Sequence, residues 1–582
     1  MRKTIIGLLL ALITMSAWAQ TNNQDEHLFT VAKNLEVFNA IYKDLDMMYV
    51  DTLDADETIG HAIAAMLQSL DPYTEYYPED KQSDLKMMLS GKYAGIGALI
   101  RQNMAIDRVV IDEPYENMPA AEAGVRKGDI IISIDDSTMV GKSVSYVSEH
   151  LRGDAGTTFI LKVIRPDGKE RGGNEEHRAK ISGKEMKFKI TRRSIQLPAI
   201  SYYGLQQDSI GYLGLTQFTE ECSKDVRRAF LEMKKQGMQK FVLDLRNNGG
   251  GSLQEAINIL NMFVPKDLLL VKTVGKMQRV NRDYKTTVEP IDTIMPIVVL
   301  VNGSSASASE ITSGSLQDLD RAVVMGTRTF GKGLVQLPNL PLPYNGNLKL
   351  TTGKYFIPSG RCIQEINYKK RREKGELKGQ KGAASENDSI VFYTAHGRKV
   401  KAGGGIMPDV EVKPDSLPNI AFYLASSGRD STEAMFRWEL DYLRKHPTIA
   451  PARDFEISDA DYESFKQFVI ASGFKYDRES KKQLEELVKL AKFEGYYDDA
   501  KPEFEALEAK LNHNLEKDLD YNKEILKQLL ANDIVAHYYY QRGAVENSLR
   551  YDKQWQEAVK LLNDETRYKE ILNDVLSEYR KY

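Results

Sequence analysis

Between residues 205 and 360 this 582-residue chain contains no histidine. Its eight histidines are His27, His61, His150, His177, His396, His446, His513 and His537. Any nucleophile seated in that stretch therefore needs a different base, or a histidine borrowed from elsewhere in the chain. Cysteine is nearly absent too: Cys222 and Cys362 are the only two, which excludes a disulfide framework, and neither has a histidine nearby to build a metal site. No cofactor or metal is expected. There is no basic excess, with 79 Lys and Arg against 83 Asp and Glu. A surface that gathers phosphates is excluded, and with it nucleic acid as a partner. Beyond the first residues, no apolar run is long enough to span a bilayer.

What the chain does have begins with "MRKTIIGLLLALITMSAWAQ". Arg2 and Lys3 give a basic start, residues 5–15 an apolar stretch, and Ala17-Trp18-Ala19 a small-x-small site. This is the pattern of a secretory signal peptide cut after Ala19. The mature protein is expected to be exported and soluble. A chain of this length exceeds one ordinary core and implies several domains.

Residues 27–70 carry helical spacing, with Leu28, Val31, Leu35, Phe38 and Ile41 on one face, and "LDPYTEYYPED" ends the run. Residues 90–170 change character, with "GKYAGIGALI", "RVVIDEP", "GDIIISIDD" and "TTFILKVIRP" reading as short strands between turns. Residues 205–360 alternate strands such as "KFVLDLR" and "PIVVLVN" with helices, the pattern of an α/β core. Residues 366–400 are polar and charge-rich and read as an exposed insertion. Residues 430–582 read as a helical appendage whose charge runs are solvated faces, with a homo-oligomer surface as the alternative.

Within the core, "VNGSSASASE" follows the apolar run "MPIVVL" and holds four serines, Ser304, Ser305, Ser307 and Ser309. Small residues let a helix pack closely on a sheet; they also let a substrate approach a nucleophile. Lysine can serve as base where burial keeps its amine neutral. Lys332 in "TFGKGLVQ" is the candidate, flanked by Gly331 and Gly333. Gln336 lies four residues on, an even offset that shares a face in extended chain, where its carbonyl could orient the amine. "DLRNNGGG" supplies a glycine turn before a helix starting near Ser252, so backbone N–H groups could meet a developing oxyanion. Two other motifs fail. "GTRTFGKG" approaches a phosphate-binding loop, but Gly333 stands where Ser or Thr should hold magnesium, and "LVQLPNLPLP" cannot form the required helix. "SDLK" at 83–86 matches Ser-x-x-Lys without its companion motifs.

Taken in order, "LDPYT", "GIGA", "AGVRKGDIIISID", "LRG", "DLRNNGGG", "NGSSASASEI", "GTRTFGKGLVQ" and "YFIPSGR" resemble the carboxyl-terminal processing peptidases, or tail-specific proteases. The likeness covers roughly residues 27–415. It implies a multidomain α/β protein: a crotonase-like protease core, an inserted-type β-rich PDZ domain, N-terminal helices and a C-terminal helical region. The domain limits are a signal peptide at 1–19, N-terminal helices at 20–82, PDZ at 83–172, peptidase at 173–416 and a helical region at 417–582. The resemblance selects Ser307 as nucleophile, Lys332 as base and Gln336 as its partner. It assigns the oxyanion donors to the N–H of Ala308 and of either Gly249 or Gly250. Gly95, Ile96, Gly97 and Ala98 would hold a peptide carboxylate, with Arg152 in "LRG" beside them. Ser304, Ser305 and Ser309 are left as capping or packing residues, and Asp318 as a structural acid. The pattern departs from the family in an extra serine and in the longer 366–400 segment. The activity implied is that of an exported, periplasmic serine endopeptidase acting on proteins with apolar C-terminal tails. The rival is a silent PDZ scaffold, which has no need of Ser307, Lys332 and Gln336 together.

Overall fold

The computed structural model describes residues 2–167, 182–196, 198–368, 390–426, 429–511 and 514–573. The domain limit expected at 172, His177, His513 and most of the charge-rich stretch 366–400 lie outside them. Two compact units divide the chain, 1–76 and 77–582.

The first unit is helical, with helices Arg2–Met48 and Ala55–Gln68. Asp54 caps the second helix by accepting the N–H of Glu57 at 2.9 Å. Asp71 closes the turn that follows, its Oδ1 accepting the N–H groups of Tyr73 and Thr74 at 2.8 Å each.

The second unit opens with helix Gln82–Ser90 and then builds a small β module. Its sheet runs Ala98–Asn103, Arg108–Pro114, Ile130–Ile134, Thr158–Pro166, Gly183–Thr191, all antiparallel. Period-two burial of Phe159, Leu161 and Val163 puts one face into a core capped by helix Val144–Leu151. Strand Gly183–Thr191 pairs along the whole of Thr158–Pro166, and Phe188 and Ile190 are buried in the module's core. In the sequence Met186, Phe188 and Ile190 keep the alternation of the strands before them. A two-stranded ribbon, Lys92–Gly95 with Arg193–Gln196, closes the module at both chain ends.

The remainder is an α/β layer. Its sheet has the order Ile200–Leu205, Ile210–Leu215, Lys240–Asp244, Ile297–Val301, Val323–Gly326, Val410–Glu411, antiparallel at the first pairing and parallel thereafter. Alternate residues serve its two faces. Leu213, Leu243, Val299 and Val324 pack with helices Cys222–Lys235, Leu253–Leu260 and Ala308–Asp318. A second sheet, holding Leu334–Pro341, Asn347–Phe356, Leu269–Gly275 and Arg282–Lys285, lies against that side.

The other face, with Tyr212, Val242, Val298, Leu300 and Val323, is covered by the end of the chain. Helices Lys553–Asn563 and Glu565–Leu572 lay Trp555, Val559, Leu562 and Tyr568 on it. Tyr568 Oη both accepts the N–H of Ile297 and donates to its carbonyl, at 2.9 Å each. This corrects the reading of 430–582 as an appendage: its last helices are a layer of the α/β domain. The charges on them are exposed, as expected, but Trp555, Ala558, Val559 and Leu562 form an apolar face that needs a sheet to cover. The preceding helices, from Asn419–Ala425 to Lys523–Ser548, share a separate core around Trp438, Phe465, Leu526 and Ile534. Cys222 is buried, Cys362 half-buried, and both are free thiols.

Candidate active site

Ligand crevices in α/β layers form beyond the carboxyl ends of parallel strands. Here three adjacent strands end in the three singled-out segments. Lys240–Asp244 leads to the glycine turn, Ile297–Val301 to the serine run, and Val323–Gly326 to the loop carrying Lys332. A cavity of about 810 Å³ opens there, and Ser307, Ala308, Lys332, Gln336, Gly249 and Gly250 all line it.

Ser307 sits directly before helix Ala308–Asp318 with φ 55° and ψ −111°. A side chain in that region costs roughly 1–3 kcal/mol and persists only where the surroundings impose it. The restraints are visible. The Ser307 carbonyl accepts the N–H of Ile311 at 2.8 Å and lies 3.2 Å from Tyr355 Oη. Its own N–H donates to Glu310 Oε2 at 2.9 Å. The neighbouring serines are packing residues: Ser305 Oγ donates to the Leu245 carbonyl and Ser309 Oγ to the Asn248 carbonyl, each at 2.8 Å.

Glu310 joins the two halves of the site. It is fully buried, and its Oε2 also accepts the N–H of Lys332 at 2.9 Å. Oε1 accepts the N–H of Gly331 at 2.7 Å and the hydroxyl of Thr329 at 2.6 Å. Burial raises its carboxyl above the usual range, against the pull of these bonds, Thr329's foremost. Tyr355 Oη, itself buried, reaches the carbonyl oxygens of Ser307 and of Lys332. The backbones of the serine and the lysine are thus tied to the same two side chains. Sequence reasoning missed both. Ser307-x-x-Glu310 is a capping-box spacing and could have flagged the acid as a helix-start residue, though not its reach to Lys332.

The glycine turn is held by Asn248. Its Nδ2 donates to the Leu215 carbonyl at 2.8 Å, its Oδ1 accepts the N–H of Gly250 at 2.9 Å, and its carbonyl accepts the N–H of Ala306 at 3.0 Å. Gly250 has φ 100°, and a Cβ there would stand 2.7 Å from the Ala306 carbonyl and 2.8 Å from Ser307 Cβ. Gly249 is exposed with nothing near its missing Cβ, and among the described residues no acceptor takes its N–H. The N–H of Ala308, first in its helix, has no acceptor within the helix. Arg246 anchors the turn from below: it pairs with Asp244 at 2.5 Å, with Asp552 at 2.6 Å, and donates to Gln554 at 2.8 Å. Tyr212 Oη donates to Asp244 at 2.8 Å. Asp318 lies away from the cavity in a buried pair with Arg361 at 2.7 Å.

Gln336 reaches the cavity by a different route from the one its spacing implies. Strand Leu334–Pro341 carries a register shift between Val335 and Gln336, so alternation from Lys332 is broken. Its Nε2 donates to Thr351 Oγ1 at 3.3 Å and toward the Leu334 carbonyl at 3.4 Å.

In the β module, Gly95 ends the ribbon strand and Ala98 starts an edge strand on which helix Val144–Leu151 packs. Between them Ile96 is buried, its carbonyl accepting the N–H of Ala120 at 2.9 Å. Gly97 has φ 68° and admits no Cβ, which would lie 2.4 Å from Met118. Arg152 follows the helix and contacts Asp84 of helix Gln82–Ser90 at 3.5 Å and the Tyr93 ring at 5.6 Å.

A strained serine on a strand-to-helix turn, joined to a small β module with an open edge strand, is the architecture of a serine-type peptidase that carries a PDZ domain. Comparison with known proteins agrees. Residues 209–370 match the model of peptidase family S41, residues 110–165 a PDZ domain, and residues 422–562 a probable PDZ-protease C-terminal helical domain. A carboxy-terminal-processing protease of Bartonella bacilliformis is 36% identical over 61% of this chain and 77% of its own. A probable CtpA-like serine protease of Staphylococcus aureus is 32% identical over 62% and 69%. A photosystem II D1 C-terminal processing protease of known structure is 26% identical over 67% and 92%, with a TM-score of 0.34. The chain belongs to peptidase family S41 and is similar to its carboxy-terminal-processing proteases.

Proposed function

We propose that this protein is an exported serine endopeptidase that takes hold of protein C-terminal tails with its PDZ domain and cleaves them with a Ser307–Lys332 dyad. The observation that carries the reading is the convergence of Ser307, Lys332, Gln336 and the glycine turn on one cavity. In this mechanism neutral Lys332 takes the Ser307 hydroxyl proton as Oγ attacks the scissile carbonyl. The N–H groups of Ala308 and Gly249 meet the oxyanion; the N–H of Gly250 is already committed to Asn248. Lys332 passes its proton to the leaving amine, and water then hydrolyses the acyl-enzyme by the reverse proton path. Gln336 offers its amide oxygen to the lysine, its nitrogen being engaged elsewhere. Gly95, Ile96, Gly97 and Ala98 receive the tail's carboxylate, and the edge strand pairs with the tail. Cavity residues such as Leu253, Ile311 and Leu334 favour apolar side chains.

The same reading takes residues 1–19 as a signal peptide and the periplasm as the compartment. No helix among the described residues is long and apolar enough to cross a membrane. It takes the core as crotonase-like and sets the PDZ domain at about 83–191.

The test is cleavage of one unstructured protein bearing an apolar C-terminal tail, by the mature chain and its Ser307→Ala and Lys332→Ala variants. Cleavage by the wild type alone, weakened when the tail is made acidic, is the expected result. A Ser307→Ala variant that still cleaves would overturn the mechanism, and indifference to the tail would overturn the recognition.

A further inference from the structure

The first unit has little core of its own. Among its described residues Leu67, on helix Ala55–Gln68, is the one apolar side chain that is buried. A helix in water takes most of its stability from an apolar face packed on something else. Helix Arg2–Met48 carries such a face over its second half and leaves it bare.

The face is a narrow stripe with a fixed period. Its residues are Leu28, Val31, Leu35, Phe38, Tyr42 and Leu45. Tyr49 continues the series just past the last helical residue, its N–H donating to the Leu45 carbonyl at 3.0 Å. The steps alternate strictly between three and four residues over three heptads. That is a repeat of 3.5, with Leu28, Leu35, Tyr42 and Tyr49 at a positions and Val31, Phe38 and Leu45 at d positions of a coiled coil. A straight helix laid on a globular core drifts away from so strict a seventh-residue repeat. Tyr42 is half-buried and the others are exposed, Leu28 at 57%, Leu35 at 64% and Phe38 at 48%. Bare apolar surface of this extent marks a site of association.

The stripe is its own complement. A seam of period 3.5 is filled by another of the same period, knob into hole. Leu487, Leu490 and Phe493 of helix Glu479–Glu494 are also exposed, but they step by three each time and drift around their helix. The positions flanking the stripe are Ala32, Asn34, Asn39, Ile41, Asp46 and Met48, with one charge among the six. A coil that selects an unlike partner does so by opposite charges at those positions. Here two copies of one helix meet with almost no like-charge repulsion along the seam. Ile41 and Met48, both exposed, widen the apolar strip. With them the stripe offers on the order of 1,300 Å² of apolar surface over two copies, inside the range of specific, stable interfaces.

We propose that residues 28–49 pair with the same residues of a second copy in a two-stranded coiled coil, so that the protein is a homodimer held by its first unit. This inference does not rest on the peptidase reading.

The test is the mass in solution of the mature chain carrying Ser307→Ala, which prevents self-cleavage, measured by light scattering across micromolar concentrations. The mass of two chains is expected. Leu35→Glu with Phe38→Glu places charges at adjacent a and d positions and is expected to reduce it to the mass of one. Leu35→Lys with Phe38→Lys should do the same. An equal mixture of the acidic and the basic chain should recover the mass of two, because a and d positions of one helix face a and d positions of the other whichever way the two helices run. Loss of the helix by misfolding could not be repaired in this way. Leu490→Glu, on a different exposed helix, is expected to leave the dimer intact. A wild-type chain that stays single overturns the proposal and leaves the stripe to another protein. A dimer that survives Leu35→Glu with Phe38→Glu overturns it in favour of another surface. A mixture of the two charged chains that stays single overturns the direct pairing, and a mass of three chains or more overturns the two-stranded arrangement.

Discussion

Glu310 ties the backbones of Ser307 and Lys332 together, so the proposed mechanism expects it to act as a positioning residue. Glu310→Ala removes the acceptor of three backbone N–H groups, those of Ser307, Gly331 and Lys332, and of the Thr329 hydroxyl. Each buried N–H left without a partner costs about 1–3 kcal/mol, so the total is on the order of 3–9 kcal/mol. Loss of a buried charge returns part of this, because burial already raises the Glu310 carboxyl. Even 3 kcal/mol falling on the transition state is a roughly 150-fold loss of rate. Glu310→Gln is gentler. Its amide oxygen can keep the N–H groups of Ser307 and Lys332, the Thr329 hydroxyl can rotate to accept, and only Gly331 loses its partner. A loss of roughly tenfold is expected. The assay is kcat and KM on an unstructured tail-bearing substrate, with a circular-dichroism melt of each variant. A positioning role lowers kcat in the order wild type, Gln, Ala and leaves KM nearly unchanged. A merely structural role lowers the melting temperature alone. A folded Glu310→Ala enzyme with wild-type kcat would refute the reasoning.

Two neighbouring glycines should respond in opposite ways. Gly249→Ala meets no atom and is expected to leave stability unchanged, whereas Gly250→Ala forces φ 100° on a side chain 2.8 Å from Ser307 Cβ and should cost roughly 2–5 kcal/mol and most of the activity; melting temperatures and kcat of the pair decide it. Asp552→Ala removes a partner of Arg246 and the cap that accepts the N–H of Trp555 at 3.0 Å. About 2–4 kcal/mol is expected, read as a melting temperature lower by roughly 5–12 °C, with kcat falling as the glycine turn loosens.

The parts of the site that were legible in the sequence are those whose chemistry is local. A serine run after a buried strand, a lysine between glycines and a glycine turn before a helix each announce a backbone shape by composition, and the fold brings all three to one cavity. What was hidden depends on partners far along the chain. Arg246 answers Asp552, 306 residues away, and nothing near either residue signals the other. The grip of Glu439 on Lys127 is of the same kind. Gln336 lines the cavity although the argument that picked it was incomplete: an even offset implies a shared face only in an unbroken strand, and a bulge intervenes. The strand Gly183–Thr191 was not read from the sequence, although its alternation of Met186, Phe188 and Ile190 is plain. The last helices were read by their charges, although their apolar face was the informative one.

That last feature sets a clock. A ribosome delivers this chain from its N-terminus, and the strands from Ile210 to Gly326 emerge more than two hundred residues before the helices that cover them. Until Trp555, Val559 and Tyr568 arrive, one side of the catalytic sheet is bare and Arg246 lacks its distant acid. The sheet whose strand ends carry Ser307 and Lys332 is therefore two-sided only once the helices Lys553–Asn563 and Glu565–Leu572 have been made.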